Sequence, residues 1–282
     1  MMNKEEDLPP TLRLLSACDR GDVETVRTLA QQRVDVNATY GNECALYRAA
    51  KHGYVEVLEV LLKYNAKVDS TNSCFKWTAL MVACQVECLA AVQLLLLAGT
   101  NVNIRDVFGK SALYIAVQHG FTEAVKKLLN HNADVNVLHD KGRSVLMIAS
   151  ELNHVDIVRL ILIQHSIEDL PTLRERVNIR DYDGWSALMR AIHNGCTESI
   201  SLLLQYGADV NDAVDALLIA SYNNHTTTVQ TLFVYGADVN RQVAGRTALM
   251  IACHNNPTPT VEKLLKYGAN VNEQVFLLGG QH

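Results

Sequence analysis

The stretch DYDGWSALMRAIHNGCTESISLLLQYGADVN, residues 181–211, is where the fold is decided. Ser186 stands directly before Ala187-Leu188, and its hydroxyl can accept from a free N–H in the first turn of a helix. Gly195 follows, a residue that tolerates the left-handed conformation in which helices commonly end. Ile200, Leu203 and Leu204 then fall at i, i+3 and i+4, one apolar stripe on a second helix. Gly207 closes that helix, and Asp209-Val210-Asn211 leads into an extended loop. The unit reads as short helix, turn, longer helix, turn, loop.

Outward from this stretch the unit repeats. The Ala-Leu string recurs with leucines at Leu46, Leu80, Leu113, Leu146, Leu188, Leu217 and Leu249, spaced 34, 33, 33, 42, 29 and 32 apart. A Val-Asn or Val-Asp string at Val36, Val68, Val102, Val135, Val177, Val210, Val239 and Val271 keeps the same step. Two independent markers with one period of about 33 residues identify a repeat array. Thr78, Ser111, Ser144 and Thr247 take the capping slot of Ser186, with Asp215 and Cys44 in the remaining units. The turn between the helices carries Gly21, Gly53, Glu87, Gly120, Asn153, Gly195, Asn224 or Asn256. No helix pair of this size buries its own stripe, so the sequence predicts an all-α solenoid stabilised by stacking.

This unit resembles the ankyrin repeat, over about residues 11–273, in eight repeats starting near 11, 39, 72, 105, 138, 180, 212 and 241. The resemblance implies a β-hairpin-like finger projecting from each helix pair and a protein-binding face. The family's Thr-Pro-Leu-His start is nowhere complete, and losing the proline costs a few tenths of a kcal/mol or so per repeat. About nine extra residues fall near 164–175, read as a loop after an outer helix, either a binding element or a tolerated insertion. About four are missing near 212–215. Residues 1–10 read as a tail. The polar residues Arg13, Asp19, Arg20, Gln31 and Gln32 suit the first repeat to a capping role. Residues 274–282 read as an apolar tail over the last repeat or as the start of a truncated ninth.

Composition narrows the function. The net charge of −5 and the alternating signs along the expected binding row give no basic stripe, so nucleic acid is not expected. No apolar run approaches the roughly 18 residues of a membrane span. The acidic start MMNKEEDLPP has no secretory character, and seven scattered cysteines form no disulfide framework. A cytoplasmic protein is expected, with the nucleus open. Gly109-Lys110-Ser111 is a finger glycine before a helix cap, not a phosphate loop, because position 104 is Ile. The Cys84/Cys88 pair has no partner pair for zinc and reads as small buried residues. His52, His119, His193 and His254 recur in alternate repeats, too far apart to share an ion. No catalytic motif, cofactor or small-molecule substrate is expected.

The reading is a non-catalytic protein-interaction scaffold. Its alternative is the recognition arm of a larger assembly, such as a ubiquitin-ligase substrate receptor or a phosphatase- or kinase-targeting subunit. The resemblance puts the binding face at finger tips and inner-helix ends, where Trp77, Phe108, Lys110, His119, Arg143, Tyr182, Trp185, His193, Tyr222 and Arg246 stand. Aromatic and arginine side chains dominate interface hot spots. For Trp77 and Trp185 the competing reading is packing on the next finger. Asn37, Asn136, Asn211 and Asn240 also resemble sites of asparaginyl hydroxylation in this family. The structural reading of these asparagines is a bond to their own backbone turn.

Overall fold

The computed structural model describes residues 8–166, 170–210, 216–255 and 258–273. Asn211, the shortened finger with Asp215 as its cap, Asn256 and the 274–282 tail lie outside these. The chain divides into two compact units, Met1–Asp140 and Lys141–His282.

The first unit holds four repeats. Their inner helices are α1 (Pro10–Arg20), α3 (Ala45–Lys51), α5 (Ala79–Gln85) and α7 (Ala112–Gln118), and their outer helices are α2 (Val23–Gln31), α4 (Val55–Lys63), α6 (Leu89–Leu97) and α8 (Thr122–Asn130). Inner helices stack on inner and outer on outer. The second unit repeats the arrangement. Its inner helices are α9 (Val145–Glu151), α12 (Ala187–His193), α14 (Ala216–Tyr222) and α16 (Ala248–His254). Its outer helices are α10 (Val155–Ser166), α13 (Thr197–Gln205), α15 (Thr226–Val234) and α17 (Thr258–Lys266).

Most of these helices have seven or nine residues. Helices this short are marginal alone in water, so their stability is tertiary. It comes from the stripes the sequence marks: Leu58, Leu61, Val92, Leu95, Val125, Leu128, Ile200, Leu203, Val229 and Leu232 are all fully buried. The predicted caps form, with the Thr78, Ser111, Ser144, Ser186 and Thr247 hydroxyls accepting from the backbone N–H three residues on, at 3.2–3.3 Å. Cys44 makes no such bond. Every described turn between paired helices has positive φ, and Glu87 is bent into it at φ 56° as Gly53 is at 71°.

The structure departs from the sequence reading in four places. Among the described residues only the first finger is a hairpin, β1 (Thr39–Tyr40) against β2 (Glu43–Cys44), with isolated bridges at Thr71–Thr78 and Val243–Arg246 in two others. The residues near 164–175 are not simply a loop. The outer helix α10 runs to twelve residues and α11 (Leu170–Val177) follows, packed on α10 with Leu173 and Val177 buried. Asp19 is not an outward capping group, because it turns toward the second repeat and pairs with Arg48 at 2.5 Å.

The fourth concerns Asn37 and Asn240, whose side chains bond the next repeat and not their own turn. Asn103 accepts from Asp134 N at 2.9 Å and donates to Asn132 O at 3.1 Å, both one repeat further on. Asn37, Asn178 and Asn240 make the same pair of bonds. The local turn is instead closed by the residue two earlier, as when Asp35 accepts from Asn37 N. A side chain amide satisfies a donor and an acceptor left over at the end of the neighbouring helix, which the chain's own turn does not offer.

Candidate protein-binding face

In each unit the fingers and the ends of the inner helices share one face. Successive fingers are joined by a backbone bond, Ser73 N to Asn42 O, Val107 N to Phe75 O and, in the second unit, Tyr182 N to Lys141 O, all 2.9–3.1 Å. Three fingers are closed by an acceptor side chain at the base. Asn72 Oδ1 accepts from Phe75 N and Trp77 N, Asp106 Oδ1 from Phe108 N and Lys110 N, and Asp181 Oδ1 from Asp183 N and Trp185 N. These three were not singled out from the sequence, although their recurrence five or six residues before each cap was there to be read.

In the first unit Trp77 is half-buried, and its indole N–H donates to Asp106 Oδ2 across to the next finger at 3.0 Å. Lys110 lies 5.2 Å over the Tyr114 ring. Phe108 is half-exposed at the tip and stacks on Phe75 at 6.2 Å. His119 is exposed beside Glu87. His139 is buried with Nδ1 on Gly109 O at 2.7 Å, and burial pushes its imidazole down to about 4, so it serves as a neutral filler.

The second unit carries a chain of charges. The Arg143 guanidinium bonds the Glu151 carboxylate, Arg190 Nη1 approaches the same carboxylate at 3.5 Å, and Arg190 Nε and Nη2 bond Asp181 Oδ2. Burial of Asp181 opposes its ionisation. The bonds from Arg190 and from the Trp185 and Asp183 amides outweigh that and hold the carboxyl below its usual range. Trp185, half-buried, is held by this chain: Arg190 lies 5.8 Å from its ring centroid and His193 meets it edge-on at 5.4 Å. Tyr182 and Tyr222 stand out at 82% and 65% exposure. Arg246 is exposed.

The remaining candidates do not converge on chemistry. Cys84 is fully buried, and burial pushes its thiol up to about 12, while Cys88 is half-buried. The four recurring histidines are all exposed, and among the described residues no group of three or more His, Cys, Asp or Glu side chains is placed to hold a metal ion. No helix among them is long and apolar enough to cross a membrane. Asn37 and Asn240 are tied to the next repeat, Asn136 is exposed, and Asn211 is not among the described residues.

The sequence matches the family profile described as Ankyrin repeats (3 copies) over residues 11–72, 80–172, 140–214 and 211–275. The chain belongs to the ankyrin-repeat family. Ankyrin repeats generally mediate protein interactions. A curated relative is glycerophosphocholine phosphodiesterase GDE1 of Candida albicans, 31% identical over 111 residues, which are 38% of this chain and 10% of that protein. The chain thus matches only about a tenth of the length of this relative, whose named activity is its own.

Proposed function

We propose that this ankyrin array is a non-catalytic scaffold that binds a protein partner through the finger and inner-helix face, with the second unit as the principal site. The observation that carries the proposal is the fixing of Trp185 by an ionic chain, between two largely exposed tyrosines. Aromatic side chains held rigid before binding lose little entropy on association and supply the anchors that interfaces use. The first unit supports a smaller role, since Trp77 already spends its N–H on Asp106. With the partner recovered by affinity capture and identified by mass spectrometry, Trp185→Ala should weaken its binding by about 2 kcal/mol or more and leave helicity unchanged. A fall in melting temperature as large as that of a core substitution would assign Trp185 to packing instead.

A second reading makes the array the recognition arm of a larger assembly. It is supported by the fungal relative, in which the matching segment is a small part of a much longer polypeptide. Cytoplasmic residence and hydroxylation of Asn37, Asn136, Asn211 and Asn240 are proposed with it. Unaltered intact mass of the protein from its native cell would remove the hydroxylation.

A further inference from the structure

In three repeats the residue before the helix cap meets the residue eight further on, at the end of the same inner helix, and the pair is complementary. Glu43 accepts from Lys51 at 3.2 Å, Arg143 bonds Glu151, and Trp185 meets His193 edge-on. In the last repeat the same two slots hold Arg246 and His254, one permanent cation and a second base. Among the described residues no carboxylate lies within ion-pairing distance of Arg246, in contrast to Arg143, Arg190 and Arg48. Helices α14 and α16 themselves, ALLIASY and ALMIACH, contain no acid, while Asp212 and Asp215, before α14, lie outside the described residues.

Arg246 and His254 border a cavity of about 330 Å³ lined by Tyr222, Arg246, Met250, Ile251, His254 and Asn255. The volume lies at the low end of the roughly 300–1,000 Å³ of ligand sites, enough for one or two side chains. Its floor is apolar, its rim is cationic, and the phenol ring of Tyr222 stands beside it. Asn255 is already committed, donating to Tyr222 O at 3.1 Å, which fixes the two inner helices across the cavity.

We infer that this cavity between α14 and α16 receives an acidic peptide segment of the partner, one large apolar side chain entering over Met250 and Ile251 and a neighbouring Asp or Glu pairing with Arg246. The partner carboxylate takes the place that Glu43 and Glu151 hold opposite Lys51 and Arg143. The inference rests on the scaffold reading above and names the partner chemistry of one part of that face.

The test is selection from a random peptide library displayed on phage, using the full chain, Arg246→Glu and Lys266→Glu. The last makes the same change in net charge at an exposed site on α17. Arg246 is exposed and buries no core, and circular dichroism verifies that each variant is folded. Peptides selected by the unaltered chain should pair a large apolar residue with Asp or Glu within two positions. Their affinity by fluorescence anisotropy should fall at least tenfold on Arg246→Glu and remain within twofold on Lys266→Glu, and Arg246→Glu should itself select Lys or Arg in place of the acid. Peptides without acid, lost on Trp185→Ala but indifferent to Arg246→Glu, would overturn this inference and leave the scaffold reading standing. Selection of no peptide above background would overturn both. A single-stranded oligonucleotide displacing the selected peptides at equal concentration would replace the acidic peptide with a phosphate ligand.

Discussion

Asp181→Asn isolates the ionic part of the second unit's face. The amide keeps an oxygen for Asp183 N and Trp185 N, and Asn72 closes its own finger in that way. What is lost is the charge facing Arg190, whose side chain is only 15% exposed and retains one longer contact, Glu151 at 3.5 Å. Removing one partner of a buried pair costs about 3–5 kcal/mol, and the surviving Glu151 brings the expectation to about 2–3 kcal/mol. The matched control is Asp106→Asn, in the same slot without an arginine, where the loss is the Trp77 indole bond, about 1 kcal/mol. Urea titrations followed by circular dichroism at neutral pH read the difference. Asp181 has a lowered pKa in the folded chain, so its contribution is fully present above the unfolded value of 3.8 and disappears as pH falls through the folded one. The gap between the unaltered chain and Asp181→Asn should therefore hold from pH 7 down to about pH 4 and shrink below it. Equal costs for the two substitutions at pH 7, or a gap that persists undiminished in acid, would refute the ionic account.

Further outcomes follow from other contacts. Asn103→Ala removes a donor and an acceptor to the next repeat and should cost about 2 kcal/mol; a change under about 0.5 kcal/mol would show that water replaces both bonds. Gly142→Ala places a Cβ 2.7 Å from the Tyr182 ring at φ 74°, so it should destabilise by about 1–2 kcal/mol and shift tyrosine fluorescence, and neutrality would mean that the finger moves freely. Leu97→Gln and Val234→Gln, at 83% and 73% exposure on outer helices, should stay within about 0.5 kcal/mol in stability and leave partner affinity unchanged.

The local grammar of the repeat was legible because it recurs. Ser186 as a cap, Gly195 and Asn224 as left-handed turns and Leu203 as core each follow from residues within one unit. What joins one repeat to the next was legible only for Trp77, where packing on the next finger was the competing reading; its partner Asp106, and the links of Asn103 with Asp134 and Arg48 with Asp19, depend on partners about a period apart. No periodicity of apolar residues announces such a bond, although the period itself says which positions become neighbours. The helix α11 was missed for a different reason. It falls in the residues added to the period, which no other repeat shares, and its Pro171 stands at the second position of the helix, where a missing N–H costs nothing. The candidate site was half legible. Tyr182, Trp185 and Tyr222 follow from their slots; Asp181 was marked only by its recurring place before the cap, and Arg190, which with it fixes Trp185, carries no signal beyond its charge.

Which face holds the partner is tested most directly by photo-crosslinking in the native cell, with benzoylphenylalanine placed singly at Tyr182, Tyr222, Leu97 and Val234. The account predicts covalent adducts of one discrete mass from positions 182 and 222, abolished by Trp185→Ala, and none of that mass from 97 or 234. Adducts of that mass from the outer-helix positions, with none from 182 or 222, would contradict it.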